Sequence, residues 1–386
     1  MRVPLLNLAR QHEPMKARLL EAIEEVVSSG RFILGPRVQE LEARIAEYAG
    51  SAFAVGCASG TDALHLAVRA LEISPGDAVI TSPYTFFASA ESISLAGARP
   101  LFADIELDTY NLDSSRLEEL CTGQCDWTGQ ELVHRVSQTR VKAIMPVHLF
   151  GQLADMKGVV ALAARYRLAV IEDAAQSIGA EQLLEGKWRK SGSIGSIGCF
   201  SFFPSKNLSA LGDAGMVVTS SPELRERLAM LRDHGARPRG FHHFIGLNSR
   251  LDELQAAVLL VKLEFLAGLN ARRQEHFRYY NKQLAGIATI PVIRSTDHSV
   301  LNQYVIRHPR RDALREFLEN EGVATEVYYP LALHLQECYA DLGYCAGDFP
   351  NAERASRETL ALPIDPAMTD DERAFVAASV KAFGPA

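Results

Sequence analysis

Lys206 ends the run Phe200-Ser201-Phe202-Phe203-Pro204-Ser205-Lys206, an apolar, strand-prone segment broken at its proline, and the small residues 209–215 follow. A strand that delivers one lysine onto a turn suits an amine that attacks a carbonyl. Such an amine must first lose its proton, which apolar walls and cationic neighbours favour. Alone, the segment reads as an ordinary surface lysine after a buried strand. Two other segments give it company. Residues 168–171 are apolar and end at Glu172-Asp173, with Gln176 three residues on; in open α/β sheets, ligands bind beyond the carboxyl ends of strands. Residues 52–58 form a strand pattern, after which Ser59-Gly60-Thr61 opens an amphipathic helix with Leu64, Ala67, Val68 and Leu71 on one face. A glycine turn at a helix N-terminus cradles phosphate. A phosphate cradle, an acid at a strand end and a turn lysine together describe a site for pyridoxal phosphate, which needs an anchor, a pyridinium partner and a Schiff-base lysine.

Elements of regular spacing must position these groups. Short apolar runs fall at 52–57, 78–81, 99–103, 142–148, 168–171, 198–203 and 215–219, with helical patterns between most of them. That alternation predicts an α/β fold with a mainly parallel, seven-stranded sheet. Residues 16–29 predict a helix with Leu19, Leu20, Ile23, Val26 and Val27 on one face, capped by Gly30. Residues 40–48 form a second, and 221–234 a third with Pro222 in its first turn. Residues 251–284 read as one long helical stretch, interrupted by no breaker beyond Gly268. After 287 the pattern changes to isolated strand patterns at 292–293, 304–306 and 324–328 among helices at 311–321 and 352–360. The expected division is a large cofactor-binding domain, 1–265, and a small C-terminal α+β domain, 266–386.

Eight segments in order resemble the DegT/DnrJ/EryC1/StrS family of pyridoxal-phosphate sugar aminotransferases: 30–36 (GRFILGP), 58–64 (ASGTDAL), 85–90 (TFFASA), 146–151 (PVHLFG), 172–177 (EDAAQS), 200–208 (FSFFPSKNL), 246–257 (GLNSRLDELQAA) and 327–330 (VYYP). The resemblance implies the fold-type I architecture. It makes Lys206 the Schiff-base lysine and proton shuttle and Asp173 the partner of the pyridine nitrogen, with Gln176 near the phenolic oxygen. It sets Gly60, Thr61 and Ser201 on the phosphate and Phe86 on the ring. Asn248 would reach the phosphate of a neighbouring subunit, so that a homodimer shares its active sites. Arg237 and His243, in the cationic loop 235–243, together with Tyr328 and Tyr329, would face substrate. The family mostly aminates nucleotide-linked keto sugars, with glutamate as the usual donor. The histidine loop and Tyr328-Tyr329-Pro330 resemble members acting at C3 more than at C4, although many of those carry His in place of Tyr328.

Three other readings compete. Family members that dehydrate replace the lysine by histidine, whereas Lys206 is present. A non-catalytic sensor would have no need of lysine, aspartate and cradle together. No Gly-x-Gly-x-x-Gly follows the first strand pattern, against a nicotinamide enzyme. A chain of 386 residues, 47% hydrophobic, fills a sizeable core, and a net charge of -7 offers no field to recruit nucleic acid or anionic membrane. Six cysteines without a paired framework, and no signal-peptide pattern, place the chain in the cytoplasm. The stretch 121–140 interrupts the rhythm: Cys121 and Cys125 have a spacing a metal could use, but no second pair completes a site. It reads as a surface loop excursion with no metal. His148 reads equally as a packed histidine or one near the cofactor.

Overall fold

The computed structural model describes residues 1–386. Its seven main strands lie in the spatial order Phe53–Cys57, Gly215–Thr219, Ile197–Ser201, Ala169–Asp173, Arg140–Met145, Asp77–Thr81 and Arg99–Phe102. These match the seven apolar runs. Gly215–Thr219 runs antiparallel to both neighbours, and every other pairing among the seven is parallel. Parallel strands are covered on both faces, which is why their sequences are apolar throughout rather than alternating. Asp77–Thr81, Ile197–Ser201 and Gly215–Thr219 are buried at every position.

Helices cover both faces. On one, Gly60–Ala70 packs Leu64, Leu66 and Val68 against Val79, Ile197 and Val217. On the other, Pro36–Ala49 brings Val38, Leu41 and Ile45 onto Phe200 and Phe202, with Leu259 beside them. Each fully buried side chain of this size stabilises the fold by about 1.5–3 kcal/mol. Lys16–Ser29 forms as its spacing predicts and ends at Gly30 with φ 65°. Its apolar face is narrower than expected, because Leu20 and Val27 are each 58% exposed while Leu19 and Val26 are buried. The helix meets Val258 along the single stripe of Met15 and Leu19, and a residue one further along points about 100° away.

Two expectations about longer stretches are corrected. The stretch 251–284 is two helices, Glu253–Leu263 and Leu266–Leu284, bent by 60° at their junction. The first belongs to the large core through Leu259 and Leu263, the second to the small one through Tyr280 and Leu284. Those cores are not collinear, so the chain turns between them without glycine or proline. The stretch 121–140 is not a loop excursion: Cys125–Trp127 and Leu132–His134 form a hairpin that pairs with Arg140–Met145. Cys121, Cys125 and Leu132 are buried with Leu117 and Val141, and Trp127 packs edge-on against Tyr166 at 5.6 Å. The apolar residues of the segment are spread too thinly for a strand signal, yet together they seal this end of the sheet.

In the C-terminal part, Tyr304–Arg307 pairs antiparallel with Thr359–Leu362, beside the helices Arg311–Glu321, Pro350–Glu358 and Asp370–Phe383. The expected helix over 352–360 therefore stops at Glu358 and gives way to a strand. Neither 292–293 nor 324–328 is a strand; the latter contributes one bridge, Glu326 to Ala361. Ladder positions are limited, and Thr359–Leu362 occupies the one beside Tyr304–Arg307. The start of the chain also packs here, with Val3 in the same cluster as Leu318 and Val323. No single helix is long and apolar enough to cross a membrane.

Candidate active site

A cavity of about 360 Å³ opens where the strands Ala169–Asp173 and Ile197–Ser201 end. Its walls include Gly60, Thr61, Phe86, Asp173, Gln176, Ser201, Lys206, Tyr328 and Tyr329. These are nine of the twelve residues singled out in the sequence.

Topology brings them together. Ile197–Ser201 lies parallel to Ala169–Asp173 with Cys199 level with Asp173. Beyond Ser201 the chain turns, closing with the Lys206 amide donating to the Phe203 carbonyl at 2.9 Å. Lys206 therefore hangs from the loop over the strand ends. Its Nζ donates to no protein atom, and burial lowers its pKa to about 8, with Asp173 opposing the shift. An ammonium stripped of water gives up its proton more readily, which is what a nucleophilic amine requires.

Asp173 closes its strand and is 4% exposed. Burial raises its pKa; hydrogen bonds from Ser89 and the Ala175 amide and the charge of Lys206 act against the rise. The Ser89 hydroxyl donates to Oδ2 at 2.6 Å, and the Ala175 amide to Oδ1 at 3.2 Å. A buried carboxylate held this way gains from a cation set against it.

The cradle depends on glycine. Ser59 caps the Gly60–Ala70 helix by accepting the Asp62 amide at 3.1 Å, so the amides of the first turn face the cavity mouth. A Cβ on Gly60 would stand 2.5 Å from the Ser201 Cβ. Only glycine lets that helix end press onto the strand carrying Ser201.

Beside Tyr329, Phe86 is 59% exposed, with its ring centroid 6.3 Å from that of the tyrosine. Gln176 ties two walls together: Oε1 accepts the Phe150 amide at 2.7 Å and Nε2 donates to the Tyr329 hydroxyl at 3.2 Å. Tyr84 packs edge-on against Tyr329 at 5.9 Å and hydrogen-bonds the Tyr328 carbonyl.

Three of the chosen residues lie elsewhere. Arg237 pairs with Glu226 on the surface, His243 Nε2 lies 2.7 Å from the Arg237 carbonyl oxygen, and Asn248 sits exposed opposite Asp233. None of the three lines this chain's cavity. His148 is a packed histidine: Nδ1 accepts the Ala154 amide at 3.2 Å, so Nε2 carries the proton and donates to Glu172 at 2.9 Å. Glu172 also accepts the amides of Gly192, Ile194 and Gly195. Motif reading missed Ser89, Asp213 and Gln303, the last two on the wall itself. The one available signal was the four-residue spacing of Thr85 and Ser89, whose hydroxyls meet at 3.0 Å at the entry to the Ala88–Leu95 helix.

A family model described as the DegT/DnrJ/EryC1/StrS aminotransferase family matches residues 14–381. The "pleiotropic regulatory protein" of Geobacillus stearothermophilus is 43% identical, over 99% of this chain and 99% of its own. The UDP-N-acetyl-3-dehydro-alpha-D-glucosamine 3-aminotransferase of Acidithiobacillus ferrooxidans is 40% identical, over 98% and 97%. The crystal structure of DesV from S. venezuelae, in complex with a ketimine intermediate, superposes with a TM-score of 0.92 at 39% identity, over 99% and 98%. This chain belongs to the DegT/DnrJ/EryC1/StrS aminotransferase family.

Proposed function

We propose that the protein is a pyridoxal-phosphate-dependent aminotransferase that moves an amino group, from glutamate, onto a nucleotide-linked keto sugar, at C3 rather than C4. The observation that carries the reading is the Lys206 amine, pKa lowered to about 8, sharing one cavity with buried Asp173 and the open end of the Gly60–Ala70 helix. The residues fit the cofactor: an amine without a protein partner, an acid in want of a cation, and a helix end where a Cβ cannot go.

Pyridoxal phosphate, when bound, supplies the electron sink for the carbon–nitrogen chemistry. The first-turn amides of Gly60 and Thr61, with the hydroxyls of Thr61 and Ser201, hold its phosphate. Asp173 keeps the ring nitrogen protonated, and Ser89 and the Ala175 amide hold the carboxylate in place. Lys206 would hold the cofactor through Nζ, and the same amine, its pKa lowered to about 8, is the group placed to accept and return a proton. Phe86 and Gln176, both on the cavity wall, would contact the ring and its polar substituent. Tyr328 and Tyr329 face the sugar. Arg237, His243 and Asn248, remote from their own cavity, serve the partner's site in a homodimer. The name of the A. ferrooxidans relative supports C3. Six free cysteines fit a cytoplasmic protein.

Purified protein should show a visible band that borohydride abolishes while fixing the cofactor on Lys206. Incubation with glutamate and a panel of UDP- and dTDP-linked 3-keto and 4-keto sugars, followed by mass spectrometry, should yield an amino sugar from a 3-keto substrate. The name of the 43% identical relative favours a second reading, a cofactor-binding regulator; that reading expects the visible band without half-transamination by any amino acid.

A further inference from the structure

The loop bearing Lys206 is gripped from outside the cavity, on both sides of the bend between Glu253–Leu263 and Leu266–Leu284. Asn207, the next residue, is 8% exposed, and its amide is used at both ends. Nδ2 donates to Asn270 Oδ1 at 2.8 Å and to the Val300 carbonyl at 2.9 Å. Its Oδ1 accepts from Asn302 Nδ2 at 2.8 Å. Two residues on, Ser209 accepts twice from Lys262 Nζ, at its carbonyl (2.8 Å) and its hydroxyl (2.9 Å). Lys262 lies in the last turn of the first helix and Asn270 in the second turn of the next.

Lys262 is 5% exposed, forms no ion pair, and has its pKa lowered to about 8 by burial. A buried amine without a carboxylate lowers stability, and its only hydrogen bonds go to the lysine loop. The grip also reaches the opposite wall. The Asn302 amide donates to the Phe150 carbonyl at 2.9 Å, and the Phe150 amide to Gln176.

We propose that Asn207, Asn270, Asn302 and Lys262 are positioning residues, and that the bent helix pair, with Asn302, fixes where Lys206 Nζ stands by holding Asn207 and Ser209 on either side of Leu208. The proposal rests on Lys206 being the cofactor lysine, and one arm of its test does not.

The test compares Asn270→Ala, which removes an acceptor on a half-buried helix surface, with Asn270→Asp, which keeps that oxygen; Lys262→Met serves as an independent second cut. Hydrogen exchange of the peptide 203–209 should quicken in Asn270→Ala and Lys262→Met and stay at the wild-type rate in Asn270→Asp. In cofactor-loaded protein, the first two should lower kcat about tenfold or more, since a shift near 1 Å costs about a hundredfold. Donor KM should hold within about twofold, and the visible circular dichroism of the lysine adduct should change. Asn270→Asp should restore kcat and dichroism. Wild-type exchange and dichroism in both disruptive variants would overturn the proposal, as would losses that merely follow a lower folded fraction. Absence of any lysine adduct in wild-type protein would instead remove the functional reading, leaving the exchange experiment to decide whether the clamp exists.

Discussion

On the proposed function, Lys206 and Asp173 set the chemistry of the cavity, and their protonation decides when it works. Below a pH of about 8 the Lys206 amine is mostly protonated, so the rate at which cofactor-free protein captures pyridoxal phosphate should climb with pH and level off above that point. Stopped-flow absorbance checks it, with Lys206→Ala folded and unreactive. The same shift has a stability sign. A lysine in the unfolded chain titrates near ~10.4, so between about 8 and ~10.4 the unfolded state binds more protons and the folded state gains stability as pH rises. Cofactor-free Lys206→Met should therefore melt higher than wild type at pH 7, by a margin that narrows toward pH 10. For Asp173 the expectation is loss of turnover with the cofactor retained. Asp173→Asn removes a charge partner in a buried site, worth on the order of 2–5 kcal/mol, about 30- to several-thousand-fold in kcat; near-normal turnover would make Asp173 structural. Lys206, Asp173 and Gly60 were legible because each sits at the end of an element with a plain apolar period. Asp213 and Gln303 were not, because a polar side chain in a connecting segment carries no mark of the wall it faces, and Ser89 showed only through its spacing from Thr85.

Among the elements, the Gly60–Ala70 helix shows how a fold makes a binding site by close approach. Gly60→Ala places a methyl 2.5 Å from the Ser201 Cβ and 3.2 Å from its Cα, an atom of the backbone. The helix end must retreat, at about 1–3 kcal/mol of stability, and cofactor affinity should fall with it. The double variant Gly60→Ala with Ser201→Gly should recover part of the melting temperature, because the nearest clashing atoms are gone. A thermal melt and a cofactor titration of both variants test the pair. Strand positions in the sheet were read correctly because double-sided burial leaves an unbroken apolar run. The bend at 264–265 was illegible because both helices keep the helical period and the turn arises from where two cores lie, a tertiary cause. The strand Thr359–Leu362 was lost for the reverse reason: four apolar-leaning residues directly after a helix extend its pattern without a breaker.

At the scale of the molecule, the loop 235–243 and Asn248 decide whether one chain suffices. The loop exposes Phe241 (68%), and Ile245 (86%) follows it in sequence; exposed large apolar side chains of this kind fit a surface that a second chain would cover. None of Arg237, His243 or Asn248 reaches the cavity of its own chain. If these residues complete the neighbour's site, two inactive variants should complement. One carries Lys206→Ala with the loop intact; the other keeps Lys206 and carries Arg237→Ala with Asn248→Ala. Random pairing of equal amounts makes half the dimers mixed, and each mixed dimer holds one site with both intact halves, so about a quarter of wild-type activity should return on co-expression. A phosphate dianion at a partly open cavity takes donors from several directions, and the Gly60–Ala70 helix end and Ser201 approach it from one chain only. Recovery therefore demands that the second chain's donors arrive across the interface. Mixed dimers verified by tagged purification that remain inactive would assign Arg237 and Asn248 to their own chain and end the shared-site reading.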